Sequence, residues 1–449
     1  MESQTARWLT SPEAEPWIDT AMSIADPSSL AAATRLRRDL KPDQAAAVLD
    51  LVWLRRRART KLGPAADSWF LTHAGLEQAT RWDVARWRAD QIRSLGVTSV
   101  IDAGCGLGID AMACQRLGLA VVGIERDPVV AILAQANLSR DWRHRALQIT
   151  ASDSTQTTTS GLTQTYDMPG ARPSDHQPGR VITASVKDLD WTAWLTDPGA
   201  AIFLDPARRT TAGRSWRISD LSPSWDWVES IVEAAQGPVV VKLGPGFPRS
   251  SLPTNADVTW VSHRGDLVET TVWSSSQSTG ARQALILTES DQQTTSKTDP
   301  SGDTPTISCL DSSTPPPPPG PLGAYIYEPD PSVIRAQALG SLASRLHAHP
   351  VAAEVAYLTG DTSVDTVYAQ GFVIDDQLDM SEKSLRAWVR QAGIGVLEIK
   401  VRGLDIDPAV LRTKLRLKGS RSATVILTPT QTGSIALVVH RLSQPVVTT

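Results

Sequence analysis

Between Ser28 and Gly63 the segment SSLAAATRLRRDLKPDQAAAVLDLVWLRRRARTKLG repeats Leu, Ala and Val at three- and four-residue steps, with arginines between. That spacing predicts amphipathic helices, so residues 1–90 read as a helical region, and Ser28 or Ser29 is placed to cap its first helix. The cluster RLRR and the run Arg55 to Arg57 read as a solvated helix surface in preference to a phosphate-binding face. From about residue 95 to 290 the pattern changes to short apolar runs separated by helical stretches: VTSVIDAG, AVVGIE, RVITASV, AIFLDP, PVVVKLG, TWVSHR and ARQALIL. Such alternation predicts a mostly parallel sheet covered by helices. Further on, YEPDPSVIRAQALGSLASRLHAH starts a helix with Asp330 as N-cap and Pro331 in the first turn, and GVLEIKVRG, SATVILTP and SIALVVHRL read as strands. The last third is therefore expected to be a separate α+β domain.

Two polar segments interrupt these patterns. Residues 152–179 are rich in Thr, Ser, Gly and Pro and read as an insertion before the third strand. Residues 289–320 end in five prolines, Pro315 to Pro319, which favour polyproline II, and read as a semi-rigid linker. The resulting division is a helical region over 1–90, an α/β domain over 91–288, the linker over 289–320, and the α+β domain over 321–445.

Composition narrows the classes of function. The 449 residues carry a formal net charge of −4, so any contact with a polyanion must rest on a local patch. The three cysteines, Cys105, Cys114 and Cys309, lack the spacing of a zinc site or a disulfide framework. A reducing cytoplasm is the simple reading, with no metal expected. The N-terminus has no basic start followed by an apolar core, and no run approaches eighteen apolar residues, so neither secretion nor membrane spanning is expected.

The chemistry begins at SVIDAGCGLGIDAMACQ, Ser99 to Gln115. Three glycines after a strand permit a tight turn and close approach of backbone to a ligand, and the helix that follows presents free N–H groups. Gly106, Gly108 and Ala111 also satisfy the looser dinucleotide pattern G-x-G-x-x-A, with Glu125 ending the next strand as a ribose acceptor. Asp102, two residues before Gly104, separates the alternatives: a carboxylate there can engage a cationic amino-acid moiety, which suits S-adenosylmethionine better than a pyrophosphate.

At these residues the chain resembles class I S-adenosylmethionine-dependent methyltransferases, with VIDAGCGLGID like their first motif and VVGIERDP like their second. The resemblance implies a Rossmann-like α/β sheet. It also implies that Asp102, Gly104, Gly106 and Gly108 surround the methionine part and that Glu125 holds the ribose hydroxyls, with Cys105 inside the turn and Arg126 beside Glu125 counted among the cofactor-binding residues. The family's third motif has an acidic residue at the end of RVITASV that touches the adenine amine. Here Ser185 stands in that place, and Asp188 is the candidate substitute from the loop.

On the acceptor side, AIFLDPARRT delivers Asp205 and Pro206 to the carboxyl edge of the sheet, where ligands bind in such folds. The position matches the family's fourth motif, a D/N-P-P-aromatic tetrapeptide in many amino-methylating members. Here Ala207 replaces the second proline and Arg208 the aromatic residue, so stacking on a base must come from a guanidinium plane or a tryptophan elsewhere. Methyl transfer from a sulfonium is an in-line displacement that needs alignment more than acid–base help. Asp205 is the candidate for orienting or deprotonating the acceptor, Arg208 and Arg209 for holding a phosphate or base, and Lys242 in VVVKLGPGF ends a strand on the same edge. No thiol is placed for covalent attack on pyrimidine carbon-5. His263, Asp266 and Glu269 in SHRGDLVET read as surface polarity, not as metal ligands.

The local basic concentration is residues 395–422, where Arg412, Lys414, Arg416 and Lys418 alternate with Thr413, Leu415 and Leu417. On a strand the four cations would share a face and could contact a phosphate backbone. This region, with YIYEPDPSVIRA and AYLTGD, resembles the THUMP-like domain of bacterial class I methyltransferases, and FLDPARR, KLGPG and SHRGDLVE resemble the same family. WFLTHAGLEQATRWDVARWRADQI is more remotely similar to cap-hypermethylating guanosine methyltransferases. The resemblance implies an RNA partner, tRNA or rRNA, and methylation of a base nitrogen. The other readings are a small-molecule methyltransferase, or a non-catalytic RNA-binding protein that keeps the scaffold. The sequence does not decide the oligomeric state.

Overall fold

The computed structural model describes residues 1–152, 177–208, 218–288 and 306–442, without the side chains of residues 144–152 and Arg208. Residues 153–176 of the expected insertion over 152–179, Arg209 and the first part of the expected linker, 289–305, lie outside the described residues. The described residues form two compact units: those within Met1–Ala256 and Thr271–Thr279 make the first, and Asp257–Thr270, Gly280–Thr288 and those from Thr306 on make the second.

The first unit opens with helices α1 (Ser3–Leu9), α2 (Glu15–Met22), α3 (Leu30–Leu36), α4 (Pro42–Leu62), α5 (His73–Gln78) and α6 (Trp82–Ser94). Ser29 caps α3 by accepting the Ala32 N–H at 3.2 Å. Val48, Leu51, Val52, Leu54, Ala58 and Leu62 of α4 are buried in the hydrophobic core. Arg55 falls on that stripe, three residues after Val52 and three before Ala58, so it is 3% exposed and not on the solvated surface expected of the arginine run. Arg56 instead reaches back to the carbonyls of Met22, Ile24 and Ala25, and Arg57 is exposed with its guanidinium 4.6 Å from the Trp53 ring.

The sheet follows: β1 (Ser99–Ala103), α7 (Ile109–Arg116), β2 (Ala120–Glu125), α8 (Pro128–Ser152), β3 (Arg180–Thr183), α9 (Thr192–Leu195), β4 (Ala200–Leu204), β5 (Ala207–Arg208), β6 (Leu221–Ser222), α10 (Trp225–Ala234) and β7 (Val239–Leu243). Five strands run parallel in the order β3-β2-β1-β4-β7. All five residues of β4 are buried, as a parallel strand covered on both faces requires. The chain leaves β1 toward β2 on one side and returns to β4 on the other, and the carboxyl ends of these two strands form the crevice where such sheets bind ligands.

Side chains fix two places the backbone ladder does not reach. Asn137 of α8, fully buried, accepts the Phe70 N–H at 2.7 Å and donates to the carbonyls of Phe70 and Leu107, each at 3.0 Å. It ties the segment before α5 to the glycine turn after β1. At the start of β3, Gln115 accepts the Gly179 N–H at 2.7 Å, and Gln135 bonds both the Gly179 carbonyl (3.0 Å) and the Val181 N–H (2.7 Å).

The second unit contains β8 (Asp257–His263), most of β9 (Asp266–Ser274), β10 (Arg282–Thr288), β11 (Thr306–Asp311), β12 (Tyr325–Pro329), α11 (Pro331–Ala336), α12 (Leu339–Leu346), β13 (His349–Pro350), β14 (Leu358–Gly360), β15 (Ala369–Asp379), α13 (Glu382–Gln391), β16 (Ile394–Val401), α14 (Pro408–Leu415), β17 (Arg421–Thr430) and β18 (Gly433–Arg441). Two differences from the sequence expectation stand out. Residues 306–311, inside the expected linker, form β11, which pairs antiparallel with β10. Residues 257–263 and 282–288, expected with the central domain, group with the C-terminal residues because β8 and β10 pair with each other and Ser262 donates to Asp330 at 2.5 Å. Asp330 caps α11 as expected, accepting the Ser332 N–H at 2.8 Å.

The C-terminal sheet has the order β13-β14-β12-β15-β18-β17-β16, with β16 and β17 parallel. Arg412 and Lys414 lie on helix α14 and Arg416 is its left-handed C-cap, so the basic run is not the strand its alternation suggested. Asp407 caps that helix through the N–H groups of Ala409 and Val410 with Pro408 in its first turn, and a cap of this kind outweighs a short alternating pattern. No helix among the described residues is long and apolar enough to cross a membrane.

Replacing Asn137 by Ala strands three buried backbone groups, so the variant should lose about 2–3 kcal/mol of unfolding free energy. Urea unfolding followed by tryptophan fluorescence measures this, and a loss under about 0.5 kcal/mol would contradict the clasp.

Candidate active site

The crevice at the carboxyl ends of β1, β2 and β4 is a cleft of about 240 Å³. One wall is the glycine turn. Gly104, Gly106 and Gly108 all have positive φ, +94°, +52° and +79°, a region closed to most side chains, and Gly108 is the N-cap of α7. Gly104, Cys105 and Gly106 line the cleft. The loop is pinned to β2 by the Gly104 and Cys105 N–H groups, which donate to the Ile124 carbonyl at 2.9 and 3.0 Å.

Asp102, one residue behind this wall, is 1% exposed, and neither carboxylate oxygen has a hydrogen-bond partner among the described residues. Burial, with Asp110 and Asp205 nearby, holds its carboxyl well above the usual range. Glu125, the last residue of β2, borders the cleft and accepts the N–H groups of Gly106 (3.1 Å) and Asp127 (2.8 Å). Arg126 is exposed on the same wall. Past β3 the wall runs through Ala184, Ser185, Val186 and Lys187. Asp188 is exposed, donates its N–H to the Ser185 carbonyl at 3.0 Å, and does not border the cleft.

The far wall belongs to β4 and β7. Leu204 pairs with Val241, and this register sets Asp205 beside Lys242, whose Nζ donates to the Asp205 carboxylate at 2.5 Å. Asp205, Ala207, Ser222, Pro223 and Lys242 line the cleft. Pro206 is buried and does not border it. Arg208 lies in β5, paired with Leu221. Cys105 and Cys114 are buried, and burial pushes both thiols well above their ordinary range, so neither supplies a ready thiolate.

Several residues of this site carry no signal in the linear sequence. Arg88, 1% exposed, forms an ion pair with Asp110 in the first turn of α7, its guanidinium stands 4.9 Å from the Phe203 ring, and Thr80 donates to the same Asp110 at 2.6 Å. Helix α5 roofs the cleft through Gly75 and Gln78. A Cβ at Gly75 would meet the Leu107 side chain at 2.6 Å, so only glycine allows α5 to press on the turn. Lys61 ties α5 to α4 by donating to the Leu76 and Glu77 carbonyls, each at 2.7 Å, and burial together with nearby Lys242 pushes its ammonium pKa down to about 8. In the second unit, His263 and Glu269 are 4% and 3% exposed. They are buried groups, not the surface polarity expected of them, because they lie on strands with covered faces. Among the described residues no three His, Cys, Asp or Glu side chains converge as a metal site would require.

A family model described as "Putative SAM-dependent methyltransferase" matches residues 77–165, the stretch that holds the glycine turn, and one described as "THUMP domain-like" matches residues 369–441. The chain is an S-adenosylmethionine-dependent methyltransferase. A model described as a domain of unknown function matches residues 2–58 of the methyltransferase. It is 28% identical over 414 residues, 90% of its own length and 98% of the relative's, to an "Uncharacterized S-adenosylmethionine-dependent methyltransferase" of Mycobacterium tuberculosis. Over 63 residues, 12% of the chain and 24% of the relative, it is 43% identical to ribosomal RNA small subunit methyltransferase J of a Shewanella species. The crystal structure of a "putative methyltransferase" from Porphyromonas gingivalis shares its fold with a TM-score of 0.68 at 20% identity, covering 99% of this chain and 100% of the other.

The cleft fits the cofactor of this methyltransferase on its own evidence. Asp102 does not border the cleft but holds a buried carboxylate without a partner directly behind the glycine turn, an acceptor for an ammonium once the turn admits one, and Glu125 stands at the end of β2 where hydroxyls can reach it. Cofactor-free, Asp102 is a liability. A carboxyl with a folded pKa raised above its unfolded value binds more protons when folded, so it costs stability increasingly as pH rises from the unfolded pKa near 4 toward the folded one. Asp102→Asn should therefore raise the melting temperature of the cofactor-free protein at pH 7 while weakening S-adenosylmethionine roughly tenfold to a hundredfold by calorimetry. Unchanged affinity would remove Asp102 from the site.

Proposed function

We propose that this methyltransferase transfers the methyl group to a base nitrogen in RNA, in the cytoplasm. The observation that carries the reading is Asp205 at the mouth of β4, its carboxylate on the cleft wall and held by Lys242. S-adenosylmethionine supplies an electrophilic methyl on a sulfonium. A base nitrogen needs its lone pair aimed at that carbon and its N–H held by an acceptor, and Asp205 is the acceptor. As the nitrogen–carbon bond forms and the carbon–sulfur bond breaks, the proton passes to the Asp205 carboxylate. Lys242 positions that carboxylate. Asp102 and Glu125 would hold the cofactor's ammonium and ribose, Gly104, Cys105, Gly106 and Gly108 would allow its close approach, and Arg126 would border it. Ser185 and the backbone beside it stand where the adenine contact is expected, with Asp188 close behind in the loop.

RNA as the acceptor is supported by the THUMP-like match, by the local likeness to a ribosomal RNA methyltransferase, and by the cations of the second unit. Lys383, Arg386 and Arg390 on α13 and Arg412, Lys414, Arg416 and Lys418 on and after α14 are all exposed, and Arg386 donates to the Lys414 carbonyl at 2.9 Å. The two helices thus present their cations together, a surface suited to phosphates.

Tritiated methyl transfer to total RNA from a strain lacking the protein, compared with its small-molecule extract, decides the acceptor class. Label is expected in RNA, and label confined to the extract would make this a small-molecule methyltransferase. Asp205→Asn should lower turnover roughly a hundredfold or more with cofactor affinity kept. Arg416→Glu with Lys418→Glu should weaken RNA binding and lower its salt slope by roughly one to two, and an unchanged slope would place the RNA elsewhere.

A further inference from the structure

The arginine run of α4 has a member that the transfer chemistry does not use. Arg55 is 3% exposed. Its Nε–H donates to the Trp69 carbonyl at 2.9 Å, whereas its buried Nη2 has no hydrogen-bond partner among the described residues. Buried donors are nearly always met by an acceptor, so this Nη2 leaves the Arg55 guanidinium one short. Arg55 borders a cavity of about 400 Å³ with Arg140, Arg143 and Ser68. The Arg55 and Arg140 guanidiniums both lie against Phe70, 5.7 and 4.9 Å from its ring centroid. Burial, then Arg140, pushes the Arg55 pKa down to about 10, which an anion between the two cations would reverse.

Three carboxylates face the same cavity, Glu15, Asp19 and Asp67. Asp67 is engaged by Arg59 through two bonds of 2.9 and 2.6 Å, and Glu15 by Arg140, whose other nitrogen donates to the Ser68 carbonyl at 3.2 Å. Asp19 is exposed at the edge, and it and Asp67 both favour the charged form of Arg55.

We propose that this cavity binds a phosphate group, with Arg55 at its base and Arg143 at its rim. Guanidinium forks match phosphate oxygens and hold them by charge-assisted bonds. The phosphate can come from an RNA backbone or from a free phosphorylated compound; the site itself does not depend on the RNA reading.

The test is thermal unfolding of the full chain in sodium phosphate against sodium chloride at matched ionic strength and pH. Phosphate should raise the melting temperature in a concentration-dependent way. The rise should be lost in Arg143→Gln, at an exposed position that tolerates change, and in Arg55→Lys, which keeps the charge and loses the fork, but kept in Arg57→Gln. No phosphate-specific rise, or an equal rise in all three variants, overturns the proposal. Where the rise depends on Arg143, RNA titrations assign the source. A salt slope lowered by about one in Arg143→Gln identifies a backbone phosphate, and an unchanged slope identifies a free phosphorylated ligand. A chain that binds no RNA and still shows the Arg143-dependent rise retains this site and loses the RNA reading.

Discussion

The carboxylate of Asp102 sits in the first strand of the sheet with no hydrogen-bond partner for either oxygen, and the surrounding structure holds that unfavourable arrangement in place. Backbone pairing on both sides, to Gly123 and to Phe203, prevents β1 from turning the group toward water. The neighbouring charge of Asp110 is taken up by Arg88 and Thr80, so it does not compete for the same partner. Asn137 and Gly75 then press the helical segment before β1 onto the glycine turn. A buried carboxyl without a partner costs stability, and it persists here because the surroundings leave no alternative conformation.

The residues proposed to hold the cofactor were legible in the sequence because they are close together along it. Asp102, the three glycines and Glu125 fall within 24 residues, and the positive φ of the glycines favours that residue type. The fold class was legible for the same reason, since apolar runs of strand length alternate with helical spacing over most of the central residues. The pair proposed for the acceptor was only partly legible. Asp205 and Lys242 each end a strand, but the 2.5 Å bond between them depends on the register of β4 against β7, which no spacing along the chain encodes.

Elsewhere local pattern and tertiary placement disagreed. Alternation around Arg412 gave way to a helix once Asp407 and Pro408 supplied a start signal. The neighbours Arg56 and Arg57 suggest a solvated Arg55, yet three-residue steps from Val52 and to Ala58 carry it inward. The composition of residues 289–320 suggested a linker throughout, and the strand over 306–311 exists because β10 offers it a pairing edge. Burial of His263 and Glu269 likewise depends on what covers their strands, not on polar spacing.

At the entry to β3, Gln115 and Gln135 bond the backbone of Gly179 and Val181 from side chains on α7 and α8. These helices belong to the part of the chain that precedes the Thr- and Ser-rich segment. The strand's register is therefore set at its own doorway, and the number of residues inserted before it does not enter. Closing a longer loop costs only about 0.6 kcal/mol per doubling. A change in the number of residues between these helices and the strand is therefore expected to leave the sheet undisturbed, which makes this the natural place for an engineered epitope to be accommodated.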